Sequence, residues 1–181
     1  MGDYSGSMVI SITGSPGTGK STICSKLSES GYSVTSVKKL AEQNNCIEEY
    51  DSARDTYPID IHALRVKSDI SEYDFIDGHL SHLLKTDAVV ILRCKPEKLK
   101  TRLEKRGYSQ EKIRSNLEWE YLSGIASELS QDARPIIELD TTSSKISDLI
   151  DKILNFCESV KTGKTDSIHA KIDWMNEPPN F

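Results

Sequence analysis

The sequence predicts an α/β fold in which helices cover both faces of one parallel sheet. Short runs of consecutive apolar residues alternate along the chain with segments whose apolar residues recur every three or four positions, as in a helix. Such an order buries the strands between helices, and buried strands of this kind are parallel. The length of 181 residues suits one ordinary domain. No apolar run approaches the ~20 residues that cross a bilayer.

Five segments are predicted to be the strands. Residues 8–12 form an apolar run that ends at a glycine-rich loop, and residues 88–92 are five consecutive apolar residues, as in a buried parallel strand. The other candidates are shorter or less apolar and comprise residues 33–37, 75–76 and 135–139.

Helices are predicted between these strands. Gly31 ends the first one, Asp60 and Ser109 are expected to cap two others, and Pro96 opens a fourth. The third helix is expected to use Ile61, Leu64 and Val66 as its apolar positions. The predicted spans are 21–30, 38–44, 60 to about 70, 96–106, 109–129 and 144–160.

Both ends of the chain lack the periodicity of the rest. The Gly-Ser-rich residues 1–7 predict a disordered lead-in without a secretory signal. Residues 162–181 are predicted to form a tail that docks through Trp174 and Phe181. Residues 8–161 are therefore expected to be the single folded domain.

Composition narrows the class of protein. The apolar fraction of 36% and charged fraction of 28% are typical of a soluble globular protein, and the net charge of −5 argues against broad nucleic-acid binding. The cysteines are far apart and form no C-x-x-C pair, so buried thiols in a reducing compartment are expected rather than a metal or redox site. They are Cys24, Cys46, Cys94 and Cys157. These features favour a cytoplasmic, non-membrane protein.

The most specific pattern is a phosphate-binding loop between the first strand and the first helix. The eight residues from Gly14 match G-x-x-x-x-G-K-[ST] in full and include Gly17 and Gly19. Glycines allow several backbone N–H groups to point at an anion, and the helix N-terminus adds about half a positive charge. The pattern therefore predicts a three-layer P-loop NTPase fold that binds ATP.

The end of this loop supplies the charged and hydroxyl groups. Lys20 is expected to bridge the β- and γ-phosphates, and the Ser21 hydroxyl to bind Mg²⁺ with Thr22 beside it. GTP-binding switch proteins need an Asn-Lys-x-Asp motif that this sequence does not contain. A preference for adenine or for mixed bases is therefore favoured.

A metal-binding carboxylate is expected at the end of a neighbouring strand. Asp77 ends the third strand and is the best candidate to hold Mg²⁺, directly or through a water, whereas Asp74 should point away. His79 follows two residues later and could face the γ-phosphate or a water beside it. The residues alone also allow a structural role for His79. The other histidines, His62, His82 and His169, are expected to be structural or merely exposed.

Three segments together resemble the adenylate kinase family, and within it the isoenzyme-six (CINAP-type) branch and its archaeal relatives. They are the phosphate loop of residues 13–22, Asp77-Gly78-His79, and residues 102–108, which end in Arg-Gly-Tyr. Their order and spacing match that branch over residues 8–161. The resemblance implies a strand order of 2-3-1-4-5, a monophosphate-binding region at 36–59 and a short lid at 105–115.

The resemblance also implies roles for residues. Arg106 would touch the donor phosphates or base, and the catalytic set would be Lys20, Asp77, His79 and Arg106. Arg102, Arg106 and Arg114 could instead form an ordinary solvated helix face. Ordinary adenylate kinases have a longer lid with several arginines and an arginine-rich monophosphate site. Residues 36–59 here contain a single arginine, Arg54, and five acidic residues.

Three functions follow as hypotheses. The first is a broad-specificity nucleoside monophosphate kinase that uses ATP and Mg²⁺. The second, implied by the branch, is an ATPase that assists late maturation of the small ribosomal subunit and its 16S rRNA through transient contact with an S11-type ribosomal protein. The acidic residues 42–55 would suit a basic protein tail. The third is a small-molecule kinase of the shikimate or dephospho-coenzyme-A type.

Overall fold

A computed structural model describes residues 8–52, 56–164 and 172–176, and its centre is a five-stranded parallel sheet. The strand order is β2-β3-β1-β4-β5, which confirms the predicted order and fold class. The strands are β1 Ile10–Thr13, β2 Val34–Ser36, β3 Phe75–Asp77, β4 Ala88–Arg93 and β5 Ile136–Asp140.

Strand β1 lies at the middle of the sheet and determines where the functional residues meet. Ile12 is paired with Asp77 of β3 on one side and with Val90 of β4 on the other. Since all pairings are parallel, the carboxyl ends of β1 and β3 lie at the same edge of the sheet. The loop after β1 therefore starts beside Asp77.

The helices occupy most of the predicted positions. Side-chain caps begin several of them: Asp60 Oδ1 accepts from Ala63 N at 2.9 Å, and Ser109 Oγ accepts from Lys112 N at 3.3 Å. The helices are α1 Lys20–Glu29, α2 Val37–Gln43, α3 Ile61–Lys67, α4 Pro96–Glu104, α5 Gln110–Tyr121, α6 Gly124–Glu128 and α7 Ile146–Lys161, with a 3-10 turn at Ser81–Leu83.

Two helix predictions are wrong in detail. The predicted helix 109–129 is two helices, because Ser123 has a left-handed backbone with φ of 53° and its hydroxyl accepts a hydrogen bond from Arg93 Nη2 at 3.0 Å. Helix α3 ends at Lys67, short of residue 70, and Val66 is 81% exposed instead of buried. Only Leu64 of that helix is fully buried.

The core has apolar layers on both faces of the sheet. One layer joins the strands to α1 and α7 and includes Leu27, Phe75, Val90 and Ile153. The opposite face is covered by α2 and α3 near β3, and by α6 near β4. The four cysteines are buried free thiols, as predicted. No helix within the described ranges has the length and apolar character needed to span a membrane.

The described part of the tail packs against the domain. Trp174 Nε1 donates to Glu120 Oε1 at 3.2 Å, and the Ile172 carbonyl accepts from Arg93 Nη1 at 3.1 Å. Trp174 thus docks as the sequence predicts. The expectations for residues 1–7, Arg54, His169 and Phe181 lie outside the described residues.

Candidate active site

The phosphate-binding loop connects β1 to α1 at the carboxyl edge of the sheet. Gly14, Gly17 and Gly19 have φ angles of 145°, 88° and 101°, which residues with a side chain rarely adopt. A Cβ atom on Gly14 would lie 2.4 Å from the Leu92 carbonyl oxygen of β4. The loop therefore needs glycine at this position to pass so close to the neighbouring strand.

Lys20 begins α1 and reaches back across the loop. Its Nζ donates to the carbonyl oxygens of Gly14 at 2.7 Å and Ser15 at 2.9 Å. Burial lowers the pKa of Lys20 to about 8, although the nearby Asp77 carboxylate opposes this change. The ammonium group is thus held at the opening of the loop, where a phosphate chain would lie.

Ser21 and Asp77 meet beside this lysine. The Ser21 hydroxyl donates to Asp77 Oδ2 at 3.4 Å, and burial raises the pKa of the Asp77 carboxyl. Hydroxyl and carboxylate oxygens are the ligands that Mg²⁺ prefers, so the pair fits such an ion. Asp74 instead accepts from the Ser33 backbone N at 2.8 Å, in line with the preference for Asp77.

His79 lines a cleft in front of the loop. The cleft has a volume of about 400 Å³, and its walls include Pro16, His79, Tyr108 and Asn116. His79 is exposed at the cleft, and desolvation of the ring by the surrounding protein, followed by the charge of Lys20, lowers the pKa of His79 to about 4. The imidazole is therefore neutral at pH 7 and can accept or donate one hydrogen bond.

His82 lies on the inner wall of the cleft and is almost completely buried. Its Nδ1 is 2.9 Å from Thr13 Oγ1, and its Nε2 is 2.9 Å from Glu128 Oε2. Burial lowers the pKa of His82 below its usual value. These contacts agree with the structural role predicted for His82. His62 lines a different cavity, next to Arg65 and Arg134.

The three arginines named in the sequence have different surroundings. Arg106 follows α4 and has an exposed side chain. Burial is the main cause of the lowered pKa of Lys20, and the positive charge of Arg106 is close enough to lower it further. Arg102 braces the phosphate loop, because its Nη1 donates to the Gly17 carbonyl at 3.2 Å and its Nη2 to Thr141 O at 2.8 Å. Arg114 pairs with Glu118 on an exposed helix face.

The predicted lid and monophosphate-binding regions approach the same cleft. Residues 105–115 contribute Tyr108 and Lys112, whose Nζ lies 5.0 Å from the Tyr108 ring centroid. Of residues 36–59, Thr56 lines the cleft. It pairs with Asp51 in one of two antiparallel bridges, and the other joins Ile47 to Ile59. The exposed rings of Tyr50 and Tyr57 are 5.1 Å apart on that turn.

Sequence reasoning missed a buried ion-pair network beneath the loop. Arg93 Nε lies 2.7 Å from Glu120 Oε1 and Arg93 Nη1 lies 2.6 Å from Glu138 Oε2. The second Glu120 oxygen accepts from the Ser15 hydroxyl at 2.6 Å. One signal was available in the sequence, because Glu120 lies three residues after Leu117 on the otherwise apolar face of α5.

Comparison with known proteins places this chain among P-loop proteins. A family model described as "AAA domain" matches residues 10–123. Proteins named "Putative adenylate kinase" are similar over most of their length: the one from Archaeoglobus fulgidus is 37% identical over 94% of this chain and 93% of its own. The one from Methanocaldococcus jannaschii is 34% identical over 94% of both chains.

Solved structures show the same fold at lower sequence identity. The deoxyadenosine kinase from M. mycoides with dCMP and dCDP bound superposes with a TM-score of 0.54 at 19% identity. The structure of that kinase with dATP gives a TM-score of 0.51 at 20% identity. Both comparisons cover 84% of this chain and all of the other.

Proposed function

The chain belongs to the AAA-domain family of P-loop proteins, together with the archaeal proteins named "Putative adenylate kinase", and we propose that it is a nucleoside monophosphate kinase. It would transfer the γ-phosphate of ATP to AMP or another nucleoside monophosphate. The observation that carries the proposal is the meeting of Lys20, Ser21 and Asp77 in front of a complete phosphate loop.

Donor binding follows from the loop geometry. Backbone N–H groups of Gly17 and Gly19 and the Lys20 ammonium would hold the β- and γ-phosphates of ATP, with Thr22 beside them. Ser21 and Asp77 would hold Mg²⁺, which when bound neutralises phosphate charge. Arg106 would donate hydrogen bonds to the donor phosphates as residues 105–115 close over them.

Transfer requires alignment rather than covalent catalysis. An acceptor phosphate in the cleft would attack the γ-phosphorus, a new P–O bond would form, and the bond to the β-phosphate oxygen would break to release ADP. The neutral His79 ring would orient the acceptor, or a water when no acceptor is bound. In the second case the same site would hydrolyse ATP.

A second role is favoured by one surface. The residues from 42 to 52 carry exposed acidic side chains beside exposed Tyr50, and the acids include Glu42, Glu48 and Glu49. Such a surface suits a basic protein segment, which we propose to be a tail of an S11-type small-subunit ribosomal protein, bound transiently during ribosome maturation. The predicted cytoplasmic location accompanies this role and stays a prediction.

An alternative acceptor is an alcohol instead of a monophosphate. A kinase of the shikimate or dephospho-coenzyme-A type would use the same phosphate loop with a hydroxyl acceptor. Presenting shikimate, dephospho-coenzyme A and a panel of nucleoside monophosphates to the protein with ATP and Mg²⁺ distinguishes these classes. Conversion of an added nucleoside monophosphate to its own diphosphate supports our proposal, and phosphorylation of an alcohol alone contradicts it.

Lys20→Ala tests the donor site itself. Loss of the ammonium group should reduce ATP binding and phosphate transfer together, by at least about 100-fold in rate, because no other charge on the loop replaces it. ADP formation and ATP affinity are measured side by side. Lys26→Ala is the matched control, since Lys26 lies on the same helix but pairs with Glu29 in solvent. Equal activity of the two variants would contradict the assigned role of Lys20.

A further inference from the structure

The carboxylate of Glu120 is the point where four parts of the chain meet. It is 3% exposed and lies on α5, whose first turns belong to the predicted lid. One oxygen accepts from Arg93 Nε, from the Cys94 backbone N at 3.2 Å and from Trp174 Nε1. The other accepts from Ser15 Oγ of the phosphate loop at 2.6 Å. The chain thus provides four hydrogen bonds for one buried carboxylate.

A short chain of contacts leads from this carboxylate to the phosphate-binding lysine. The Ser15 hydroxyl is bound by Glu120, and the Ser15 carbonyl accepts from Lys20 Nζ at 2.9 Å. Ser15 itself is 1% exposed. Displacement of Ser15 would therefore move one of the two carbonyl groups that hold Lys20 in place.

Burial makes this anchor strong. Hydrogen bonds to a charged group are about twice as strong as those between neutral groups, and they are stronger still away from water. Arg93 donates its Nε to Glu120 and its Nη1 to Glu138, so one guanidinium group holds both buried carboxylates. The indole of Trp174 lies 6.0 Å from the Arg93 guanidinium and covers the pair on its tail side.

We propose that Glu120 is a positioning residue for the phosphate loop, acting through Ser15, and that residues 172–176 complete its site by covering it. The C-terminal segment would then contribute to the binding of the donor nucleotide. This inference rests on the proposed ATP site. Its physical basis is that a loop fixed at Ser15 stays in the one conformation that binds phosphate, so no affinity is lost to other conformations.

Ser15→Ala is the direct test, with Ser11→Ala as the matched control. Ser11 is a fully buried serine of β1 whose hydroxyl pairs with Ser81 at 2.7 Å, remote from Glu120 in its contacts. We expect the Kd for ATP with Mg²⁺, measured by calorimetry, to rise about ten-fold in Ser15→Ala and less than about two-fold in Ser11→Ala. The two thermal midpoints should fall to a similar extent. An unchanged Kd in Ser15→Ala overturns the proposal.

Trp174→Phe and Glu120→Gln extend the test to the rest of the network. Trp174→Phe removes one donor but keeps an aromatic ring, and we expect the KM for ATP to rise about three-fold while the KM for the monophosphate stays the same. Glu120→Gln should raise the KM for ATP further. Equal rises in both KM values, or a fall in stability alone, would show a merely structural role.

The outcome for the proposed function is separate. If the natural protein binds ATP but phosphorylates no monophosphate, the kinase proposal fails, and the Kd comparison still decides the role of Glu120. If it transfers phosphate and Ser15→Ala does so with the same KM for ATP, the inference about Glu120 fails and the kinase proposal stands.

Discussion

Single residues at the cleft owe their chemistry to desolvation and to neighbouring charges. Desolvation and then the Lys20 charge lower the pKa of His79 to about 4, so its ring is neutral at pH 7. Lys20 in turn is near its own pKa at mildly alkaline pH, because burial opposes its charge and Asp77 supports it. A neutral ring beside a cation is suited to orienting a water or an acceptor without competing for the phosphates.

His79→Ala tests that separation of roles. Because we propose that the ring orients the acceptor or a water rather than holding the donor phosphates, we expect ATP hydrolysis to fall by about 10- to 100-fold and ATP affinity to change by less than about three-fold. Phosphate release and nucleotide titration give the two values. Loss of affinity as large as that of Lys20→Ala would contradict the role assigned to His79.

The elements of the fold differ in how well their sequence predicts them. Strand β4 and the phosphate loop are specified by local patterns, an apolar run and glycines at fixed spacing, and both were predicted. The break between α5 and α6 depends on Arg93, which bonds Ser123 across 30 positions of the chain. A local pattern does not carry such a contact. The position of Glu120 on the apolar face of α5 was a local signal, but its partners Arg93 and Ser15 are distant in the chain and could not be predicted from it.

Gly124→Ala tests the junction between α5 and α6. A Cβ atom at Gly124 would lie 2.2 Å from the ring of Trp119, which lines the cleft, so the indole must shift from its position. We expect the free energy of unfolding to fall by about 1–3 kcal/mol and the Trp119 fluorescence to change.

Gly163→Ala is the control for this substitution. Its Cβ would meet no atom within 4 Å, although its φ of 64° costs some strain. We expect a loss of about 1 kcal/mol from backbone strain alone and no change in fluorescence. Identical spectra for both variants would contradict the close packing of Trp119 on Gly124.

At the scale of the whole molecule, buried charges join the sheet to the segments around it. Arg93 and Glu120 link β4, α5 and the phosphate loop, and Arg134 binds Asp132 and the His82 carbonyl on the other side. His82 in turn connects Thr13 of β1 to Glu128, the last residue of α6. Stability should therefore depend on pH through these groups.

The sign of that dependence follows from His82. Its pKa in the folded protein is lowered below 6.5 by burial, with Arg134 acting in the same direction and Glu128 and Asp132 against it. The unfolded chain then binds more protons than the folded one as the pH falls below 6.5. We expect the thermal midpoint to decrease from pH 7.5 to pH 5.5 by more than it does in His82→Gln.

The exposed His62 provides the control for this measurement. His62→Gln should keep the pH dependence of the natural protein, because His62 lies outside the hydrogen bonds of His82. His79 adds a contribution of the same sign, since its pKa is also lowered. An unchanged slope in His82→Gln would show that other groups govern the acid limb of stability.

The attachment of α5 along its whole length has a mechanical consequence. Arg93 holds the Glu120 backbone carbonyl and side chain at the last turn of this helix. Nearer its start, Ile113 and Leu117 pack against Leu99 and Leu103 of α4 in a buried cluster. Because interlocked side chains resist sliding, we expect α4 and α5 to turn together as one stiff pair when residues 105–115 close, rather than α5 alone.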